Sequence, residues 1–517
     1  MKIGIDVGGT NTDAVLVQGN KVLAAVKSPT MSNVAKGIAD SVSQLQAAFP
    51  FAAEDVDAVM IGTTQFINAL VEADRLAPTA AIRLGLPATS GLPPFVGWPD
   101  RIRDAVQALP YLCHGGHEFD GREISAFDPV EVLDAVRDAQ ANGARSFAVS
   151  SVFSTVNPEI ERSAAKIILD AFPELPVSLS SEIGRVGLLE RENATIINAA
   201  LRELSQHVCG SLDDSLGAQG IDAPVFLSQN DGTLMDLDSA RQYPVATFAS
   251  GPTNSMRGAA HLSGLKDCVV VDVGGTTTDV GVLQGGFPRE AATEIEVAGI
   301  RTNFRMPDVL SVGIGGGSRV RVADDGGVTV GPDSVGYKVV EEALVFGGNT
   351  LTATDIMVAA GVAEIGDPRL VAHLDRELVA AARAVIGGRI AETVDRMRTS
   401  SDPVPVVAVG GGAFLVPDNM DCVSEVARPE NPGVANAIGA AIAQVGGEVD
   451  RIFAIAPGQR EQVMGEAKEE AINRAVAAGA EASTVEIVDI DELPLAYLPG
   501  NASRLRIKAV GDLPSVR

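Results

Sequence analysis

Two rhythms of apolar residues alternate along this chain. Spacings near 3.6 residues predict helices at about Ser32–Phe49, Pro129–Asn142, Pro158–Phe172, Glu190–Leu216 and Ala372–Met397. Asn157 followed by Pro158 strengthens the third start, since a capping side chain precedes a proline at a position that needs no N–H. Between these segments lie short Val-rich runs at 58–62, 146–153, 224–229 and 269–273 that read as strands. Patterns taking turns in this way specify an α/β protein. The stretch Leu92–Pro110, with Pro93, Pro94, Pro99 and the single tryptophan Trp98, breaks the rhythm and is expected as a surface excursion.

One pattern is written twice. "DVGGTNTD" fills Asp6 to Asp13 and "DVGGTTTD" fills Asp272 to Asp279, each after a short apolar run. In a phosphate-binding P-loop or a dinucleotide fingerprint, the glycines lead from a strand into a helix. Here "DAVLVQGNKVLAAVKSP" and "DVGVLQGGFPREA" continue as strand, turn and strand, with Gln18-Gly19-Asn20 and Gln284-Gly285-Gly286 at the same offset. No Gly-Lys-Ser/Thr follows either block, which excludes a Walker loop. The repeated unit is strand, glycine loop, strand, turn, strand.

Length and charge narrow the setting. A chain of 517 residues exceeds one core, and roughly 100–200 residues per domain predicts about three units. We expect a first lobe over 1–180, a second over 181–448, and a small C-terminal α+β module over 449–517, where the glycine-rich pattern stops. The net charge of −27 repels nucleic acid and anionic membrane surfaces. Cys113, Cys209, Cys268 and Cys422 are scattered, and an acid at position 6 precedes any apolar signal core, so a cytoplasmic, reduced protein is expected. Cys113, His114 and His117 match no standard zinc spacing.

Two glycine loops rich in threonine can grip a polyphosphate from both sides. At Gly8, Gly9, Gly274 and Gly275, backbone N–H groups can approach oxygens where a Cβ would obstruct. Thr10, Asn11, Thr12, Thr276, Thr277 and Thr278 add polar side chains, with the threonine hydroxyls as donors. Asp6, Asp272 and Asp279 repel phosphate directly, but they can hold the waters of a Mg²⁺ that bridges phosphates, with Asp6 and Asp272 as the metal pair. A third run, Gly410-Gly411-Gly412, ends another apolar strand and can admit a flat adenosine group. "NAIGAAIA" (436–443) reads as a small-residue helix with a packing role, and "GIGGGS" (313–318) as the approach to a hairpin rather than a dinucleotide site.

Order and content resemble the actin-like ATPase superfamily, in which two related lobes each supply a phosphate loop and a later glycine segment holds adenosine. The resemblance implies a two-lobed actin-like ATPase (ribonuclease H-like) fold, with ATP and Mg²⁺ as cofactors. "IGTTQFINALVEADR" (61–75), "SLSSEIGRVGLLERENATIINAAL" (178–201), "VFLSQNDGTLM" (225–235), "FASGPTNSMRGA" (248–259) and "VGIGGGSRV" (312–320) are similar to the A subunit of the hydantoinase/oxoprolinase family. That similarity implies ATP-dependent opening of a cyclic amide, with a separate B-type subunit and an oligomeric assembly. It makes Thr63, Thr64, Asn68, Glu190, Arg191 and Asn230 candidates for substrate contact. The same family includes subunits of ATP-dependent ketone carboxylases, and the wider superfamily includes small-molecule kinases.

Overall fold

In a computed structural model of the chain, the two repeated blocks close the same turn. Gly8 N–H donates to the Asn11 carbonyl at 3.0 Å, and Gly274 N–H to the Thr277 carbonyl at 2.9 Å. The structure describes residues 1–9, 11–19, 21–31, 33–291, 295–324, 326–495 and 502–514, so Thr10 lies outside the described residues. Strand Lys2–Val7 pairs antiparallel with Asn11–Gln18, setting Asp6 opposite Asp13. Strand Cys268–Val273 pairs with Thr278–Gln284 in the same register, setting Asp272 opposite Asp279. Alternation within each strand buries both faces: Ile3, Ile5 and Val7 enter one core cluster, and Val269, Val271 and Val273 another.

Each hairpin seeds a mixed sheet. The first sheet has nine strands in the spatial order Glu486–Pro494, Ala502–Gly511, Gln444–Ala454, Thr233–Asp236, Val225–Ser228, Ala58–Thr63, Lys2–Val7, Asn11–Gln18 and Lys21–Pro29. The second runs Phe287–Pro288, Thr278–Gln284, Cys268–Val273, Val404–Val409 and Val423–Ala427, with Val309–Val312 also paired to Thr278–Gln284. A smaller parallel sheet of four strands, from Thr79–Leu86 to Val177–Leu179, is inserted into the first lobe with helices Pro129–Ala141 and Glu159–Ala171 packed on it.

The strand order redraws the expected division of the chain. The 449–517 segment is not a separate module, because strand Gln444–Ala454 pairs with Thr233–Asp236 and the C-terminal hairpin continues the same sheet. Its helix, Arg460–Ala477, covers that extension through Ala467, Ala471 and Ala475. Residues 225–236, expected in the second lobe, also belong to the first sheet. The stretch Leu92–Pro110 is likewise no surface excursion. Trp98 and Phe95 are buried edge-to-face, and Trp98 Nε1 donates to Asn193 Oδ1 at 2.7 Å on the long helix Leu188–Ala218.

The chain crosses between the two large sheets twice, each time through a helix. Ser250–Ser263 leads from the first sheet to the second, and Ala435–Ala441 leads back. These helices touch backbone to backbone: a Cβ on Gly258 would lie 1.9 Å from the Ala435 carbonyl oxygen, and one on Gly439 1.8 Å from that of Asn254. Gly4 on the first strand meets the Ala437 carbonyl in the same way, at 2.2 Å. Among the described residues no helix is long and apolar enough to cross a membrane.

Gly258→Ala and Gly439→Ala should therefore each destabilise the protein by about 1–3 kcal/mol through forced separation of the crossing helices. Gly388→Ala, in helix Arg376–Met397 with open space around it, should instead stabilise by about 0.5–1 kcal/mol. Thermal and urea unfolding of the three variants checks both signs.

Candidate functional site

Ligands of open α/β sheets gather at the carboxyl ends of the strands. Asp6 and Asp272 stand at those ends, each one residue before the final valine of its strand. Asp6 is almost fully buried and accepts from Asn436 Nδ2 at 3.3 Å and, more distantly, from Asn254 Nδ2 at 3.5 Å. A Cβ on Gly62 would sit 2.4 Å from both Asp6 Oδ1 and Asn254 Nδ2, so only glycine fits there. Both asparagines come from the crossing helices. Neither was singled out in the sequence, where the helix bearing Asn436 reads as packing alone.

Burial, with Asp13 nearby, pushes the Asp6 carboxyl up to about 6, against the asparagine contacts. Burial also raises Asp272 to about 6, with Asp279 and Asp6 contributing and Ser255 opposing. Asp6 thus lies close enough to Asp272 for its charge to be felt there. Asp279, raised by burial, accepts from the Ser311 hydroxyl, and Asp13 is paired with Lys27 at 2.9 Å. Asp13 Oδ1 is buried without a hydrogen-bond partner.

The loop tips split into exposed and buried positions. Gly9, Gly274, Gly275, Thr276 and Thr277 are exposed, while Gly8 and Asn11 are half-buried. Thr12 and Thr278, expected to face a ligand, are instead buried: Thr12 Oγ1 lies 3.2 Å from Thr30 Oγ1, and Thr278 Oγ1 donates to the Ile314 carbonyl at 2.6 Å. They stiffen the hairpins.

The third glycine run backs the second loop. Gly410, at φ +86°, has no room for a Cβ, which would lie 2.3 Å from Asp272 Oδ1; Gly412 N–H donates to the Val273 carbonyl at 2.8 Å, and Gly411 is open to solvent. A further layer was missed in the sequence. Gly316 and Gly317 N–H groups donate to the Gly274 and Gly275 carbonyls at 3.0 and 2.7 Å, and a Cβ on Gly315 would strike Thr276 N at 2.6 Å. The strand end and glycine triplet of "GIGGGS" were visible, but only its contact with the second loop gives it meaning.

The substrate candidates do not converge on one point. Thr63 exchanges hydrogen bonds with Ser250 at 3.2 and 3.1 Å, so it joins the first sheet to a crossing helix. Thr64 accepts from exposed Asn68 at 3.3 Å. Arg191 is buried and donates to Ser180 Oγ and to the Ser151, Arg185 and Gly187 carbonyls. Asn230 is saturated by the Val245 and Arg305 carbonyls and by Ala249 N–H. Glu190 is partly buried, 4.0 Å from Arg301.

A second cavity, of about 1140 Å³, opens where the first sheet, the inserted sheet and the C-terminal strands meet, with Thr155, Arg185, Gln229, Arg305 and Asp450 among its walls. Its mouth at Gln229 follows strand Val225–Ser228, which runs parallel to Lys2–Val7 with one strand between. Two strand spacings put it about 10 Å along the sheet edge from Asp6. Along its wall, Arg504 pairs with Asp450 at 2.6 Å and Lys508 with Asp231 at 2.8 Å, and Arg506 pairs with Glu290 at 2.8 Å. Against the opposing effect of burial, Lys508 holds Asp231, and Arg305 and Arg185 hold Glu290, below the ordinary carboxylate range.

Among the described residues, no three acidic, histidine or cysteine side chains form a ready metal site. The carboxylates of buried Asp6 and half-buried Asp272, beside two glycine loops, suit a Mg²⁺ that takes its other ligands from water and phosphate.

Family profiles described as Hydantoinase/oxoprolinase N-terminal region and Hydantoinase/oxoprolinase match residues 2–172 and 191–397. The acetophenone carboxylase gamma subunit of Aromatoleum aromaticum is 29% identical over 395 residues, covering 69% of this chain and 53% of that protein. The caprolactamase subunit alpha of Pseudomonas jessenii is 27% identical over 387 residues, covering 70% and 54%. The chain spans about half the length of these curated relatives. The crystal structure of ATP-dependent caprolactamase from Pseudomonas jessenii superposes with a TM-score of 0.80 at 18% identity, covering all of this chain and 89% of that one. The likeness extends to the architecture, a mixed α/β fold with two large sheets joined by two crossing helices.

The raised carboxyls make a signed prediction for metal-free protein. A folded-state value near 6, above the usual 3.8, means that Asp6 favours folding below pH 4 and loses that contribution as pH rises through 6. Relative to the parent, Asp6→Asn should gain on the order of 2–3 kcal/mol in stability between pH 4 and 7, read by urea unfolding in chelator. A flat difference would refute the buried, metal-free carboxylate.

Proposed function

We propose that this chain, which belongs to the hydantoinase/oxoprolinase family, binds Mg-ATP between its two glycine hairpins and phosphorylates the carbonyl oxygen of a small cyclic amide. The observation that carries the reading is the matched pair of turns, each with an aspartate at its base, Asp6 buried and Asp272 half-buried, with the charge of Asp6 felt at Asp272. Such a pair of acids is unfavourable in isolation and becomes useful around a cation.

The chemistry explains a need for ATP. A five- to seven-membered lactam or hydantoin resists water because nitrogen donates electron density into the carbonyl. Attack of the amide oxygen on the γ-phosphorus makes a new P–O bond, breaks the bond to the β,γ-bridging oxygen and releases ADP. Water then adds to the activated carbon, and the ring nitrogen takes a proton and departs. The remaining acyl phosphate loses phosphate to a second water. The Gly8 and Gly274 N–H groups close the turns, which leaves those of Gly9 and Gly275 at the exposed tips to hold phosphate oxygens in line, most of what phosphoryl transfer requires. Asp6 and Asp272 would hold the Mg²⁺ that accompanies the nucleotide, with Asp279 as an orienting group beside them. Bound Mg²⁺ supplies charge neutralisation on the transferring group.

The 1140 Å³ cavity, on the same sheet edge as Asp6, supplies room for the acceptor at a junction of structural units, where small-molecule sites are common. Ring opening falls to a B-type partner within an oligomer. A second reading is activation of a ketone in an ATP-dependent carboxylase, favoured by the similarity to the acetophenone carboxylase subunit. Both readings share attack by a carbonyl-derived oxygen on the same phosphorus. A small-molecule kinase would stop there and accumulate the phosphorylated product.

ADP release from Mg-ATP, measured with hydantoins, lactams, 5-oxoproline and simple ketones, with and without a B-type partner, separates these readings. We expect one cyclic amide to stimulate turnover and to yield its ring-opened product. Stimulation by ketones alone would transfer the function to carboxylation, and stimulation by none would remove the amidohydrolase reading. Asp272→Asn should lower stimulated turnover by at least about 100-fold with the fold intact; turnover within threefold of the parent would sink the assignment of this aspartate.

A further inference from the structure

The strands paired beside the two hairpins differ at the position opposite the loop acid. Opposite Asp13 in the first stands Lys27, with Nζ 2.9 Å from Asp13 Oδ2; opposite Asp279 in the second stands Ser311, whose hydroxyl donates to Asp279. One copy meets its loop acid with a cation, the other with a hydroxyl. Neither eight-residue block contains Lys or Arg, so the loops themselves bring no full positive charge to a polyphosphate. The Lys27 ammonium also donates to the Gly433 carbonyl at 2.9 Å, in the connector that enters the second crossing helix. Its side chain is 42% exposed, whereas Asp13 is largely covered. Its charge reaches across the cleft and lowers both Asp6 and Asp272 against the stronger effect of their burial.

We propose that Lys27 is a positioning residue for the bound polyphosphate, exchanging the Gly433 carbonyl for an oxygen of the terminal phosphate while it keeps Asp13. The proposal rests on the cleft being a Mg-ATP site. An ammonium has three donors on a flexible stem, so it can keep Asp13 with one while another moves from the Gly433 carbonyl to phosphate. A charge-assisted bond to phosphate is stronger than one to a neutral carbonyl, which drives the exchange. Ser311 brings no charge to the second hairpin. The polyphosphate therefore lies with its most highly charged end over the first hairpin and its nucleoside toward the second, beside Gly410–Gly412.

Calorimetric binding of Mg-ATP, Mg-tripolyphosphate and adenosine to the parent, Lys27→Met and Lys27→Arg proteins tests this. We expect Lys27→Met to weaken Mg-ATP and tripolyphosphate by about tenfold or more, to leave adenosine unchanged, and Lys27→Arg to recover part of the loss. In the parent, Mg-ATP but not adenosine should slow labelling of Lys27 by an amine-reactive reagent, a readout that survives any misfolding of the variants. Equal weakening of adenosine and ATP, unchanged ATP affinity, or labelling indifferent to Mg-ATP would overturn the assignment while leaving the cleft reading standing. A parent that binds neither ATP nor tripolyphosphate would overturn both.

Discussion

The backbone contact between the two crossing helices is the constraint on which the cleft depends. Gly258 against Ala435 and Gly439 against Asn254 leave no space for a methyl group, so the helices approach as closely as main chain allows. That closeness brings Asn254 and Asn436, one from each helix, onto the same carboxylate. Asp6 therefore has its position set by both connections between the lobes. Any rotation of one lobe on the other must pass through this contact, and through Asp6 with it.

Electrostatics gives the contact its use. Asp6 is buried and Asp272 half-buried, and both carboxyls are raised, an arrangement that opposes folding at neutral pH. The molecule tolerates it because other regions compensate, among them the ion pairs behind the second cavity, where lysine and arginine keep the acids ionised. Charge is thus satisfied at the junction of the sheets and left unsatisfied in the cleft. Clustered carboxyls with raised values are the pattern expected of a functional cleft.

The repeated blocks, the class of fold and the main helices were legible because local pattern decides them. The "QG" turns and Val-rich strands predict the hairpins, and long-helix periodicity locates Leu188–Ala218 within two residues at either end. The C-terminal strands were misassigned because sheet partnership is a long-range choice: Val445 pairs with Gly511 and Val59 with Val225, and no local rhythm records which sheet will accept an edge. Trp98 was misplaced because prolines signal irregular backbone rather than exposure, and its burial depends on Asn193, 95 residues away. Arg191 and Asn230 share the residue types of binding sites, but each is saturated by carbonyls that only the folded chain brings near. Asn254 and Asn436 were missed for the converse reason, since an asparagine in a small-residue helix gives no local sign that it faces a distant acid.

Duplication accounts for what the two hairpins share, and their supports account for what they do not. The first loop is backed by one hydroxyl, Thr30 Oγ1 to the Gly8 carbonyl at 2.8 Å. The second is backed by two glycine layers, with Gly316 and Gly317 on one side and Gly410 and Gly412 on the other. A loop held by main-chain contacts on both sides is stiff and offers a constant surface, which suits the invariant nucleoside end of a ligand. A loop held by side chains, with Lys27 and Asp13 at its base, has freedom to adjust, which suits the end where a phosphoryl group leaves. On the proposed reading, a division of labour between the hairpins follows from how each copy of nearly the same eight residues is braced.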